Sequence, residues 1–489
     1  MTPNIILICF VVYTAILFVV TWITARRADS EGFYIGNRSS PWYVVAYGMI
    51  GASLSGVTFM SVPGWVGETQ FTYLMVVLGY LFGYAVIATI LLPLYYKLNL
   101  TSIYTYLEKR FGFWSYKTGS FFFIISRVIG ASFRMFLVVN VLQVFMFDAW
   151  NVPFGVTVSI FILLIILYTF KGGVKTIIWT DTLQTTFMLL AVGLTIYFIS
   201  KELHFSANEM FAQVFNSEYS KVIETDWHSP RHYLKQFFSG MFITIVMTGL
   251  DQEMMQKNLS CKNIKSAQKN MFTFSFILII VNFMFLILGA LLYIYANAKS
   301  ITLPLRSDDL FPHIAFEHLG VVAGIVFFIG LISAAYPSAD GALTSLTSSF
   351  TIDILGLSKR DDLSEKEKRK IRYGVHFAFA TVILIVIVVF RAINNQAVID
   401  KLFTIAGYTY GPLLGLYAFG LFTKFNLKDK YVPVVAVICP IISILLDEFS
   451  EQLLWGYNFG FEILLVNGFL TFMGLLMIRK RWERAEFTR

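Results

Sequence analysis

The chain has 489 residues, 57% of them hydrophobic and only 14% charged, with 38 basic against 30 acidic side chains. A soluble globular protein carries nearer a quarter charged residues, so the composition excludes an ordinary soluble domain and sets the class as a polytopic membrane protein. The basic excess fits cytoplasmic loops and calls for no nucleic-acid partner, and Cys9, Cys261 and Cys439 lie too far apart for a disulfide framework or a metal-ligand spacing.

At about 20 apolar residues per crossing, spans are expected near 4–25, 42–66, 72–97, 118–148, 152–170, 176–200, 233–256, 268–297, 319–355, 373–392, 396–423, 430–447 and 460–478, thirteen in all. No basic residue precedes the first, and Arg26 and Arg27 follow it, so it reads as an uncleaved span and not as a signal peptide. Every second loop is basic: Arg26, Arg27 and Arg38; Lys109, Arg110 and Lys117; Lys171 and Lys175; the run from Lys257; SKRDDLSEKEKRKIR; Lys424, Lys428 and Lys430; and the terminal RKRWERAEFTR. The positive-inside rule then puts the N-terminus outside and the C-terminus in the cytoplasm of a cell membrane, with the loops 201–232 and 298–318 outside. SEKEKRKIR, 364–372, is expected to be a solvated loop. No connection is long enough for a separate soluble domain.

Two spans spoil themselves. AYGMIGASLSGVTFMSVPGWVGE holds Gly48, Gly51, Gly56 and Pro63-Gly64 with the hydroxyls of Ser53, Ser55 and Thr58; FFSGMFITIVMTGLDQEMMQ holds Gly240, Gly249, Asp251 and Gln252. Lipid tolerates a broken helix only where it is buried in protein or lines a cavity. The two spans are five apart, the spacing of an inverted repeat of five helices plus five whose first helices are discontinuous and bind substrate and ions. Close helix packing through glycine is the alternative reading of either stretch.

Several strings then resemble the sodium:solute symporter family: GFYIGNRSSPWYVVAYGMIGASLSGVTF, TYLEKRFG, GGVKTIIWTDTLQ, GLDQEMMQKNLSCKNIKSAQKN, SADGALTSLTSSFTIDIL and GPLLGLYAFGLF, in that order over roughly residues 30 to 425. The resemblance implies an all-α, leucine-transporter-type architecture. One helix leads (4–25), two five-helix repeats follow (42–200 and 233–423), and two helices trail (430–478). It implies coupling to sodium, a hard cation expected to want oxygen ligands. By the resemblance, that ion would take the carbonyls of Gly51, Leu54 and Ala334 and the hydroxyl of Ser338, with Asp181 of the WTD string in a supporting or receiving role. Family members usually carry two adjacent serines where this chain has Pro337-Ser338. Proline there frees the Ser333 carbonyl from its helical partner, making Ser333 a further candidate ligand. The alternative is a plain kink with proton coupling through Asp340.

Arg134, seven residues after Arg127 and hence on the same helix face, lies at the depth expected for substrate, where a guanidinium can grip a carboxylate with two hydrogen bonds. The resemblance adds that family members carrying sialic acid use an Arg followed by Met in this helix, with hydroxyls at the positions of Ser53, Ser55 and Thr58. Positions that are polar in the sugar carriers are here Val77, Thr244, Met247 and Thr404. Arg134 paired with Asp340 or Asp181 for structure alone stays open. So do a neutral-sugar or amino-acid symporter, proton coupling, a transporter-fold nutrient sensor and a channel; an embedded enzyme lacks a His beside a carboxylate or Ser, His376 coming nearest. The expected partners are a small polar solute, sodium and the bilayer. The oligomeric state is left open, with a functional monomer by analogy.

Overall fold

The computed structural model describes residues 2–24, 38, 40–169, 173–393 and 397–480. Arg26, Arg27, the string before Arg38, Lys171, the Lys175 side chain and residues 481–489 of the basic tail lie outside the described residues.

Every expected span has its helix or broken pair. These are α1 (Pro3–Thr24), α2 (Trp42–Ser53) with α3 (Gly56–Thr69), α4 (Tyr73–Lys97), α5 (Phe113–Trp150), α6 (Phe154–Thr169) and α7 (Gly173–Glu202). Then follow α8 (Tyr233–Thr244, wound on to Gly249) with α9 (Gln252–Leu259), α10 (Ile264–Ala298) and α11 (Gly320–Ile354). The last are α12 (Glu365–Ile393), α13 (Val398–Phe422), α14 (Asp429–Glu448) and α15 (Ile463–Met477). By length and composition, 8 helices can cross a membrane alone, and the pair α2/α3, bent by 56°, makes a ninth span. The rest are shorter or more polar and depend on their neighbours for cover.

The packing carries the five-plus-five symmetry that the sequence halves hide. Helix α4 lies along α8, while α10 lies along α2 and α3; α5 lies along α13, while α11 lies along α7. Exchanging each span of the first repeat for the one five later turns each contact into its counterpart. The α4–α8 crossing is so close that a Cβ on Gly79 would collide with the Phe237 carbonyl and one on Gly240 with the Val76 carbonyl. Gly240 therefore serves packing, and the break in its span falls later. Helix α1 packs on α7 and α11, and α14 and α15 flank α13.

The loops sort to two ends as their charges predict. At one end Ser40 N–H donates to the Ser260 carbonyl (3.1 Å), Lys359 pairs with Glu108 (2.9 Å), and Ser115 N–H donates to Asp429 (2.8 Å). At the other, Phe71 N–H donates to the Lys221 carbonyl (3.0 Å) and Lys299 lies 4.0 Å from Glu202. SEKEKRKIR is not a loop: α12 starts at Glu365, with Ser364 and Glu367 capping each other's backbone N–H groups (3.3 and 2.9 Å). The S-x-x-E signature of a capping box was present in the sequence.

Candidate functional site: a cavity between the two broken spans

The two breaks are chemically different. In the first, the last helical bond runs from Leu54 N–H to the Ile50 carbonyl (2.8 Å) and the next from Phe59 N–H to the Ser55 carbonyl (3.0 Å). The carbonyls of residues 51–54 are thus left beyond the helical ladder, as the last four of any helix are. In the second, protein groups fill the gap: Tyr95 hydroxyl donates to the Gly249 carbonyl (2.8 Å), Tyr104 hydroxyl to the Leu250 carbonyl (2.9 Å), and the Asp251 carboxylate accepts from Glu253 and Met254 N–H (3.0 and 3.2 Å). Free carbonyls for a hard cation therefore belong to the first break. The sequence marked both equally, because tyrosines from α4 and the loop after it cannot be paired with a distant break without the fold.

On α11, the Ser338 hydroxyl is buried and has no hydrogen-bond partner among the described residues. A buried hydroxyl without a partner is costly unless a ligand satisfies it, so Ser338 fits an ion. Helix α11 runs uninterrupted through Pro337. The Ser333 hydroxyl donates to the Tyr13 hydroxyl of α1 (2.8 Å), so its side chain turns toward the leading helix. Gly51, Leu54 and Ala334 are buried; Gly51 N–H donates to Thr185 of α7 (3.0 Å), and α2 also packs on α11.

A cavity with about 680 Å³ not filled by atoms lies beside the first break. Its wall includes Ser53, Ser55, Thr58, Thr244, Met247 and Arg134, six of the expected substrate contacts. Two others are elsewhere. Val77 is wholly buried in α4, and Thr404 lines a second cavity with Glu68, Arg231, Arg306 and Asp400. Between the two cavities stands a closed ring of aromatic side chains, Trp65, Tyr73, Phe403 and Phe461, with neighbouring centroids 5.0 to 6.5 Å apart. Tyr73, Tyr80, Tyr84, Thr248 and Asn282 add to the polar lining and were not expected; a tyrosine in an apolar helix gives no sign of facing a cavity.

Arg134 and Arg127 both reach the cavity, as their spacing implied, but only one is spent. Arg127 pairs with Glu253 and lies 3.7 Å from Asp251. Arg134 forms no ion pair among the described residues, and its Nε has no hydrogen-bond partner. Of the structural partners expected for Arg134, Asp181 is paired with Lys257 (2.7 Å). Lys257 also reaches Glu253 (3.2 Å), and Tyr410 hydroxyl donates to Asp251 (3.2 Å). Lys257, which opens a basic run expected in a cytoplasmic loop, is 2% exposed, and Glu253 and Asp251 before it are 3% and 0% exposed. Hydropathy ended the span at residue 256, just before Lys257, because it cannot see the countercharge that Asp181 and Glu253 supply.

Discontinuous helices around a central cavity, with free carbonyls at one break and a closure on either side, define an alternating-access secondary transporter. A model of the sodium:solute symporter family matches residues 33–428, and the chain belongs to that family. It is 24% identical over 456 residues to the sodium/sialic acid symporter SiaT of Proteus mirabilis (strain HI4320), covering 90% of this chain and 88% of that protein. It is 26% identical to sodium-coupled monocarboxylate transporter 1 of Mus musculus, covering 82% of this chain and 65% of the other. The solved structure of a Na+-coupled sialic acid symporter in a substrate-bound, outward-open state superposes with a TM-score of 0.82 at 20% identity over 98% of this chain and 99% of that one. The fold is thus the five-plus-five type expected, and the chain is a transporter that couples a solute to sodium.

Proposed function

We propose that the chain imports a polyhydroxylated organic acid, a sialic acid-like sugar acid, together with sodium. The observation that carries the solute class is the unpaired guanidinium of Arg134 in a cavity whose other polar groups are hydroxyls, one amide and the already paired Arg127. A buried cation without a counter-charge is costly, and a solute carboxylate supplies that charge in the bidentate geometry arginine favours. Nine-carbon and smaller sugar acids offer the hydroxyls that Ser53, Ser55, Thr58 and Tyr80 can meet. A plain short monocarboxylate, the cargo named for some relatives, would leave most of them unmet, and a neutral sugar would leave Arg134 unmet.

Sodium would sit at the first break, on the carbonyls of Gly51 and Leu54, the Ala334 carbonyl and the Ser338 hydroxyl. Binding there ties α2 to α11 and fixes the break beside which the solute docks, so the two ligands support each other. The aromatic ring on one side and the charged cluster around Glu253 on the other are the closures that must open in turn. The end holding Lys109, Lys262 and Lys359 faces the cytoplasm of the cell membrane, with the N-terminus outside, and a single chain holds the whole pathway.

The test is a thermal-shift screen of the purified protein against N-acetylneuraminate, lactate, glucose and proline, in sodium chloride and in choline chloride. A ligand of the folded state raises Tm by mass action. A rise with N-acetylneuraminate that needs sodium is expected; a larger rise with lactate or glucose would replace this reading.

A further inference from the structure

Lys257 sits in an unusual place for an amine. It is 2% exposed, and its ammonium touches Asp181 Oδ2 at 2.7 Å and Glu253 Oε1 at 3.2 Å, two carboxylates from different spans. The other oxygen of Asp181 has no hydrogen-bond partner among the described residues.

The surrounding glycines locate this cluster relative to the first break. A Cβ on Gly48 of α2 would lie 3.3 Å from the Cβ of Asp181, and one on Gly341 of α11 would collide with the carboxylate of Glu253. Gly48 precedes Gly51 by about one helical turn, and Gly341 follows Ser338 by about one turn, a step of roughly 5 Å along either helix. The cluster therefore lies one turn inward of the proposed sodium position on both helices that form it.

We propose that the Lys257 ammonium is a built-in cation holding a second cation position, so that this transporter binds one sodium ion, at the first break, and not two. The proposal rests on the sodium reading given above. Two carboxylates converging from separate spans, one with an oxygen to spare, are the hard, anionic donors that a sodium ion takes. Lys257 supplies the same single positive charge from a side chain anchored in α9. Asp181, Glu253 and Asp251 bring three negative charges against the two positive charges of Lys257 and Arg127. Removing Lys257 raises the uncompensated negative charge of the cluster from one to two, and the small cation available in excess to offset the added charge is sodium.

The measurement is equilibrium binding of radiolabelled sodium to the purified full chain, with the Hill coefficient of sodium-dependent thermal stabilisation as a second readout. Wild type is expected to bind one ion with a Hill coefficient near one. Lys257→Met should bind two, with a coefficient above one as a second site allows, and Lys257→Arg should stay at one. The double variant Lys257→Met with Asp181→Asn should return to one, since charge and countercharge leave together. Asp181→Asn alone should bind sodium as tightly as wild type, because its carboxylate serves the lysine. Two ions on wild type, one on Lys257→Met, or a loss of sodium affinity of tenfold or more in Asp181→Asn would overturn the proposal. A Lys257→Met chain that folds only in sodium supports it; one that folds in neither salt leaves the Asp181→Asn result to decide. Ser338→Ala keeps the two readings apart. It should weaken the single wild-type ion, and if it does not, the first-break site is misplaced whatever Lys257 does.

Discussion

The hydroxyl of Tyr95, on α4, donates to the carbonyl of Gly249 at 2.8 Å and so satisfies one carbonyl of the second helix break. The contact makes that break a structural joint, while the first break keeps its carbonyls free. Tyr95→Phe should leave the Gly249 carbonyl buried and unpaired, at a cost of about 1–3 kcal/mol. Tm in detergent should fall, and the sodium concentration for half-maximal stabilisation should stay where it is. A change in sodium affinity with Tm unmoved would mean that the second break, too, serves the ion.

Arg134→Ala should remove binding of N-acetylneuraminate by about 2–5 kcal/mol, or at least tenfold in Kd, while sodium still stabilises the protein. Arg134→Lys should recover little, because an ammonium cannot reproduce the planar fork. Isothermal titration with the solute in sodium checks both; unchanged affinity in the alanine variant would sink the anion reading.

Gly341→Ala puts a methyl group into the carboxylate that Arg127 and Lys257 hold between them. Displacing Glu253 breaks a buried ion network, for which about 3–5 kcal/mol is the usual loss. Shortening the acid in Gly341→Ala/Glu253→Asp should restore part of that stability, a coupling that a double-mutant cycle measures directly. If the two substitutions simply add, the packing of α9 on α11 described above is not what Gly341 is for.

The ring of Trp65, Tyr73, Phe403 and Phe461 separates the cavity lined by Arg134 from the one lined by Thr404. Phe403→Ala should open it and speed solute release on the Thr404 side several-fold, seen in stopped-flow dissociation, with a smaller effect on sodium.

Orientation has its own test. Single cysteines at the exposed positions Asn208 and Lys299 should react with an impermeant thiol reagent on intact cells, while those at Lys262 and Asp361 should react only after permeabilisation. The opposite pattern would invert the topology.

Hydropathy and charge alone fixed the thirteen spans, their sorting to two ends and the two broken helices, because each span must satisfy its own backbone in lipid and each basic loop must stay with its neighbours on one side. Arg134 was legible for the same reason: an isolated charge so deep in a span needs a purpose. What the break at Leu54 offers and the break at Leu250 withholds was decided only by tertiary structure, since Tyr95 and Tyr104 reach the second break from 154 and 146 residues away. The same holds for Lys257. Its neighbours in sequence are polar enough to read as a loop, and only the convergence of Asp181 from α7 and Glu253 from the preceding turn of α9 gives the ammonium enough countercharge to be buried. A charge's cost in a membrane depends on what surrounds it in space, and a linear sequence lists only what surrounds it along the chain.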